Sequence, residues 1–139
     1  MLGALLLAWT AFTPPAPPAD SVDWRGRAVC VDETGGRIDC AVEGNRYALE
    51  TTGGGLQWFA ADDPLVRVFD DARVRGQEVM ARVRLRPDRS ADLIEVYSAK
   101  HGKLHDVRYF CDVCNVTAFV PGLCPCCRAE MELVETPVE

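Results

Sequence analysis

Apolar and polar residues alternate most strictly between residues 77 and 86, where Val79, Ala81, Val83 and Leu85 interleave with Met80, Arg82, Arg84 and Arg86. A period of two belongs to a strand with one buried face, so this stretch predicts a strand whose other face is a ladder of arginines. Shorter runs of the same texture surround it. Residues 27–32 and 37–42 flank Glu33-Thr34-Gly35-Gly36, and residues 46–50 and 56–60 flank Thr51-Thr52-Gly53-Gly54-Gly55. Each pair reads as a hairpin, because glycine takes positive φ without steric cost. Trp58-Phe59 supplies bulk for a core or for a binding face. After the turn Pro87-Asp88-Arg89-Ser90, residues 93–98 predict a further strand, with Ile94 and Val96 alternating against Glu95 and Tyr97. The helical signal is confined to Asp62-Asp63-Pro64-Leu65, an acidic cap with proline at the first helical position. That segment makes two turns at most, to about residue 71, with Leu65, Val66 and Phe69 facing inward.

About five strands with one short helical turn before the fourth predict a mainly β protein, a small closed or half-open barrel over residues 22–100. Its order and length resemble an OB-fold, a fold that binds oligonucleotides and oligosaccharides, though fold alone assigns no ligand. Ala99-Lys100-His101-Gly102-Lys103 then turns the chain, and residues 104–110 carry it into a cysteine-rich tail.

Before the barrel, residues 2–12 are almost wholly apolar and are followed by Thr13-Pro14-Pro15-Ala16-Pro17-Pro18-Ala19. Eleven residues are too few to span a bilayer as a helix, which takes about 20. A short apolar core followed by prolines and small residues reads as an export signal over residues 1–19, with cleavage after Ala16 or Ala19, although no Lys or Arg precedes the apolar run. The mature chain is then expected to be exported, periplasmic or extracellular, and without a membrane span.

Charge bears on the partners. The formal net charge is −6, and an acidic body repels phosphate backbones, which argues against nucleic acid. Arg82, Arg84 and Arg86 could still form a ligand face for an anion. The simpler reading is a solvated face whose charges meet Asp and Glu on a neighbouring strand. The pairs Asp62-Asp63 and Asp70-Asp71 lack the alternating oxygen spacing of a calcium loop and are explained by helix capping and solvation. The partner is left as an unspecified protein or small ligand.

Seven cysteines in 139 residues are the compositional outlier. Cys30 and Cys40 lie opposite one another if the first hairpin is centred near Gly35. They are a candidate disulfide in an exported chain, or else two small buried thiols. The other five stand in the tail, as Cys111-Asp112-Val113-Cys114 and Cys124-Pro125-Cys126-Cys127. Two Cys-x-x-Cys steps, with nine residues between them to run out and back, have the spacing of a four-thiolate metal site. Cys111, Cys114, Cys124 and Cys127 are the expected ligands, with Cys126 a free thiol at the knuckle tip and His101 and His105 left in loop and strand.

These steps resemble the paired knuckles of zinc-ribbon and rubredoxin-like domains, over residues 104–135. Pro121-Gly122-Leu123-Cys124-Pro125-Cys126-Cys127 is also similar to the end of the short heavy-metal-binding domains found beside copper exporters. Here, however, Cys114 stands where that family has histidine, and Arg128 replaces its glycine. The departures favour an all-thiolate zinc site over copper handling. The expected cofactor is Zn2+, with iron as the alternative because sulfur ligation suits both. Four ligands close the tetrahedron, and the sequence holds no nucleophile elbow, phosphate-binding glycine loop or metalloprotease helix. The expectation is a non-catalytic, exported metal-binding protein acting as a binding or scaffold module, with an iron electron carrier or a zinc or copper chaperone or sensor as alternatives.

Overall fold

The computed structural model describes residues 20–138. The proposed export signal of residues 1–19 lies outside them. Strands make up most of the ordered structure: β1 (Ser21–Val31), β2 (Arg46–Thr51), β3 (Leu56–Trp58), β4 (Val79–Leu85), β5 (Ala91–Lys100), β6 (Lys103–Cys111), β7 (Val116–Ala118) and β8 (Glu132–Pro137). A 3₁₀ turn (Pro64–Asp70) and a one-turn helix, α1 (Ala72–Arg75), separate β3 from β4. The strands form one antiparallel sheet in the order β3-β2-β1-β4-β5-β6-β7, with β8 also paired to β6.

β1 is longer than the alternation suggested and serves two partners. Its first half pairs with β4, from Ser21 opposite Arg84 to Gly26 opposite Val79. Its second half pairs with β2, from Gly26 opposite Thr51 to Val31 opposite Arg46. Gly26 sits where the partners change, and a Cβ there would lie 1.9 Å from the Glu50 carbonyl oxygen. Only glycine lets the two backbones approach so closely.

Residues 37–42 do not form the expected second strand. One bridge, Val31 to Arg37, and the bond from Ile38 N–H to the Cys30 carbonyl are all that remain of it. The cause is local. Asp32 Oδ1 accepts from the Thr34 amide, the Thr34 hydroxyl and the Gly36 amide, and Asp39 Oδ1 then accepts from the Ala41 amide. These aspartate-centred turns compete with a ladder and lead the chain away from the sheet.

The sheet is open. β3 meets β5 only through a single parallel bridge between Phe59 and Ala91, so the barrel expected over residues 22–100 does not close as a continuous sheet. β3 is three residues long, and Asp63 takes over where it stops. One carboxylate oxygen of Asp63 caps the 3₁₀ turn by accepting from Leu65 N–H at 3.0 Å, while the other accepts from Leu93 N–H on β5 at 2.5 Å. The expected helix forms as a 3₁₀ turn that stops at Asp71, extended at φ −78° and ψ 114°, which caps α1 in turn. Val66 and Phe69 are buried as expected, joined by Val68.

The β5 pattern departs from simple alternation. Arg82 pairs with Glu95 but Val83 pairs with Leu93, so Ile94 is an extra residue. A bulge of this kind shifts the phase of a strand. Leu93 and Val96, three apart, therefore both face the core, while Ile94 is half-buried. Leu85, expected inside, is exposed at the end of β4.

The core gathers Leu49, Phe59, Phe69, Val74, Val79 and Val83, and it runs without a break into Tyr109, Cys111 and Cys124 of the tail. Each of the Val, Leu and Phe side chains contributes about 1.5–3 kcal/mol on burial. β6 makes the continuity. Its first residues pair with β5, from Tyr97 opposite Asp106 to Lys100 opposite Lys103, and its last pair with β7 and β8.

Candidate metal centre

β6 ends at Cys111, and its pairing with β7 brings Cys111 opposite Val116. The first cysteine step is therefore a tight hairpin turn between two strands. The second is closed by backbone bonds alone. Cys124 N–H donates to the Ala129 carbonyl at 2.7 Å, Arg128 N–H to the Cys124 carbonyl at 2.9 Å, and Met131 N–H to the Gly122 carbonyl at 3.1 Å. In each knuckle the residue after the last cysteine takes a left-handed backbone, Asn115 at φ 54° and Arg128 at φ 64°. The sequence signal for that geometry is the glycine usual after a Cys-x-x-Cys step, which this chain lacks at both places.

The sulfurs of Cys111, Cys114, Cys124 and Cys127 all lie within 4.8 Å of one another, and those of Cys111 and Cys127 are 3.6 Å apart. A tetrahedral zinc with Zn–S of about 2.3 Å holds its sulfurs about 3.8 Å apart, so the cluster needs little adjustment to close on an ion. Cys111 and Cys124 are buried, Cys114 is half-buried and Cys127 is exposed. The site thus has an inner wall fixed by β6 and an outer wall at the surface.

The backbone amides of Cys127 and Cys126 face the Cys124 sulfur and, against the cost of burial, bring its pKa down to about 7. Cys114 moves the other way, through a hydrogen bond with the Cys126 thiol, burial, and the thiols of Cys127 and Cys124. At Cys111 the amide of Cys114 works downward, yet burial and the thiols of Cys127 and Cys124 carry it above its ordinary value. Four sulfurs this close ionise together only around a cation.

The remaining candidates lie elsewhere. Cys126 is exposed and outside the quartet, on the side of Cys114. His101 is exposed in the β5–β6 turn, and His105 Nδ1 lies 3.2 Å from the Lys103 carbonyl. Cys30 and Cys40 are joined as a disulfide with Cα atoms 5.2 Å apart. This bond pins the loop after β1, since the residue opposite Cys30 on β2 is Tyr47. The arginine ladder meets acids along its length: Arg82 with Asp23, Arg84 with Asp20, and Arg86 with both Asp62 and Asp92. The aspartate pairs are engaged too, for Asp70 takes Arg67 and the Tyr47 hydroxyl.

Sequence patterning gave no sign of what ties the cysteine unit to the body. The hydroxyl of buried Tyr109 donates to Asp71 Oδ2 at 3.0 Å, two residues before Cys111. Glu135 on β8 pairs with Lys100 and accepts from Gln77 Nε2 at 2.7 Å. Arg108 pairs with Glu95 and stacks on Phe119, 4.5 Å from the ring centre. A scan against protein-family models, a search of curated proteins and a search of solved structures each return no match, so the reading of this centre rests on its own geometry.

Proposed function

We propose that the chain is a non-catalytic, exported metal-binding protein in which a structural zinc ion, held by Cys111, Cys114, Cys124 and Cys127, fastens a β module that works as a binding or scaffold unit. The observation that carries this reading is the convergence of four sulfurs to within 4.8 Å. A quartet of protein ligands leaves no open position for water or substrate, as structural zinc sites require. Such a site supplies an apparent ~10–16 kcal/mol of folding free energy, enough to hold a tail too small for a core of its own.

Other features support the finer parts. The Cys30–Cys40 disulfide fits an oxidising compartment, in keeping with the apolar leader. Among the described residues no helix is long and apolar enough to cross a membrane. The run β3-β2-β1-β4-β5, with the parallel bridge from Phe59 to Ala91, favours an OB-like module left partly open. The ladder arginines Arg82, Arg84 and Arg86 each meet a carboxylate, which favours a protein or small-molecule partner over nucleic acid.

Elemental analysis with native mass spectrometry on protein purified without added metal tests the proposal. One tightly held zinc per chain supports it. Iron, with the red colour of thiolate-to-iron absorption, would make the protein an electron carrier instead. Weak, exchangeable zinc or copper that leaves the tail folded would point to a chaperone or sensor, and loss of proton masses for three disulfides would remove the metal altogether.

A further inference from the structure

Two half-buried arginines stand outside the pattern of paired charges, Arg46 and Arg75, and Arg75 spends its guanidinium on the Phe69 and Asp70 carbonyls. Arg82, Arg86 and Arg108 each meet a carboxylate, but Arg46, also half-buried, takes part in no ion pair among the described residues. Its guanidinium is instead held by neutral groups. It lies over the Trp58 ring at 5.0 Å, and Nη2 donates to the Phe59 carbonyl at 3.3 Å. Nε is buried and makes no hydrogen bond.

Arg46 lines a cavity of about 290 Å³ between the start of β2 and the 3₁₀ turn. Beside it stands Asn45, whose buried Nδ2 faces the Tyr47 hydroxyl without completing a hydrogen bond to it. The carboxylates at the cavity are already used. Asp63 takes the amides of Leu65 and Leu93, and Asp70 takes Tyr47 and Arg67. The cavity therefore holds two buried donors without full partners, Arg46 Nε and Asn45 Nδ2. Leaving buried donors unpaired costs about 1–3 kcal/mol each, which a ligand bringing acceptor oxygens would recover.

We infer that this cavity is a binding site for a small carboxylate with an apolar body, gripped by Arg46 and Asn45. Nε and a neighbouring Nη of arginine form a planar fork that matches the two oxygens of a carboxylate, and stacking on Trp58 fixes its orientation beforehand. The floor is apolar, built from buried Phe59, Ala60 and Val66. The volume is roughly twice the 150 Å³ that accommodates benzene in an engineered apolar cavity, so one ring or a short chain fits. Inorganic phosphate would satisfy the charge and leave the apolar floor uncovered.

This site supplies a ligand class for the β module in the binding-unit reading, and it uses no residue of the metal centre. The test is an amide-resolved NMR titration of the full chain with benzoate, benzamide and inorganic phosphate, with metal content measured in every sample. Benzoate is expected to shift Asn45, Arg46, Tyr47 and Ala60 saturably, with benzamide and phosphate at least about tenfold weaker. Asn45→Asp, which sets a negative charge against the ligand, and Arg46→Gln should each weaken benzoate at least about tenfold while the rest of the spectrum stays in place. The inference fails if benzoate gives no saturable shift, if benzamide or phosphate binds as well, or if a folded variant binds benzoate like the parent. Absence of zinc in samples that bind benzoate would leave this site standing and remove the metal reading; zinc without benzoate binding would do the reverse.

Discussion

At the scale of single residues, both knuckles place a non-glycine residue in left-handed backbone. Asparagine tolerates that region, so Asn115 costs little, but an arginine there carries roughly 1–2 kcal/mol of steric cost. Glycine would remove it and give back about 0.5–1 kcal/mol through the greater freedom of the unfolded chain. Arg128→Gly is therefore expected to stabilise the metal-loaded protein by about 0.5–1 kcal/mol, and Asn115→Gly by less, as read from urea unfolding midpoints. A second residue sets an acid response. The Asp71 carboxyl is held below its ordinary range chiefly by the Arg73 side chain, with the Arg73 amide and Tyr109 hydroxyl adding to it against partial burial. A folded-state pKa below the unfolded one contributes stability that is full above the unfolded value and disappears as pH falls through the folded value. Asp71→Asn should thus be less stable than the parent near pH 6. The gap should narrow as pH falls below about 5 through the carboxylate range, and a gap that stays constant as the pH falls would remove Asp71 as a source of acid sensitivity.

At the scale of elements, the seam between body and cysteine unit depends on β8. Glu135 is the only acidic group on β8 that draws two body side chains to itself among the described contacts, Lys100 and Gln77. Glu135→Ala removes the acceptor shared by part-exposed Lys100 and half-buried Gln77 and should cost about 1 kcal/mol. Exposed Glu132→Ala, on the same strand, should stay within about 0.5 kcal/mol, with thermal unfolding of the loaded protein as the measure. Much of the element list was legible from pattern. β4 was visible in the alternation from Val79 to Arg86, the β2–β3 hairpin in its glycines, and the 3₁₀ turn in Asp63-Pro64. What pattern missed is physical competition between local and long-range bonding. Asp32 and Asp39 draw neighbouring amides to their own side chains and suppress the strand expected over residues 37–42. The extra residue at Ile94 exchanges the faces of β5, an effect set by its pairing with β4 and invisible in β5 alone. The cysteine quartet was readable because its spacing is short and local; the Tyr109–Asp71 contact was not, because its partners are 38 residues apart.

For the whole molecule, β6 belongs to both units, so loss of metal cannot be confined to the tail. Removing the ion with a strong chelator is expected to release amide protection in β6, β7 and β8 completely and to lower it in residues 97–100 of β5, which pair with β6. β1 and β2 should keep theirs, and hydrogen exchange followed by mass spectrometry distinguishes this graded loss from global unfolding. The chain also holds two kinds of sulfur, one oxidised pair and one quartet of free cysteines, so its seven cysteines have wrong pairings open to them. Their placement works against the wrong ones. Cys30 and Cys40, ten residues apart, close a short loop, so the local pair forms at a lower entropic cost than any pairing with the distant tail. A metal that captures the quartet takes four nucleophiles out of disulfide exchange at once. Correct pairing then follows from the short loop of the one pair and the capture of the other four by a single ion.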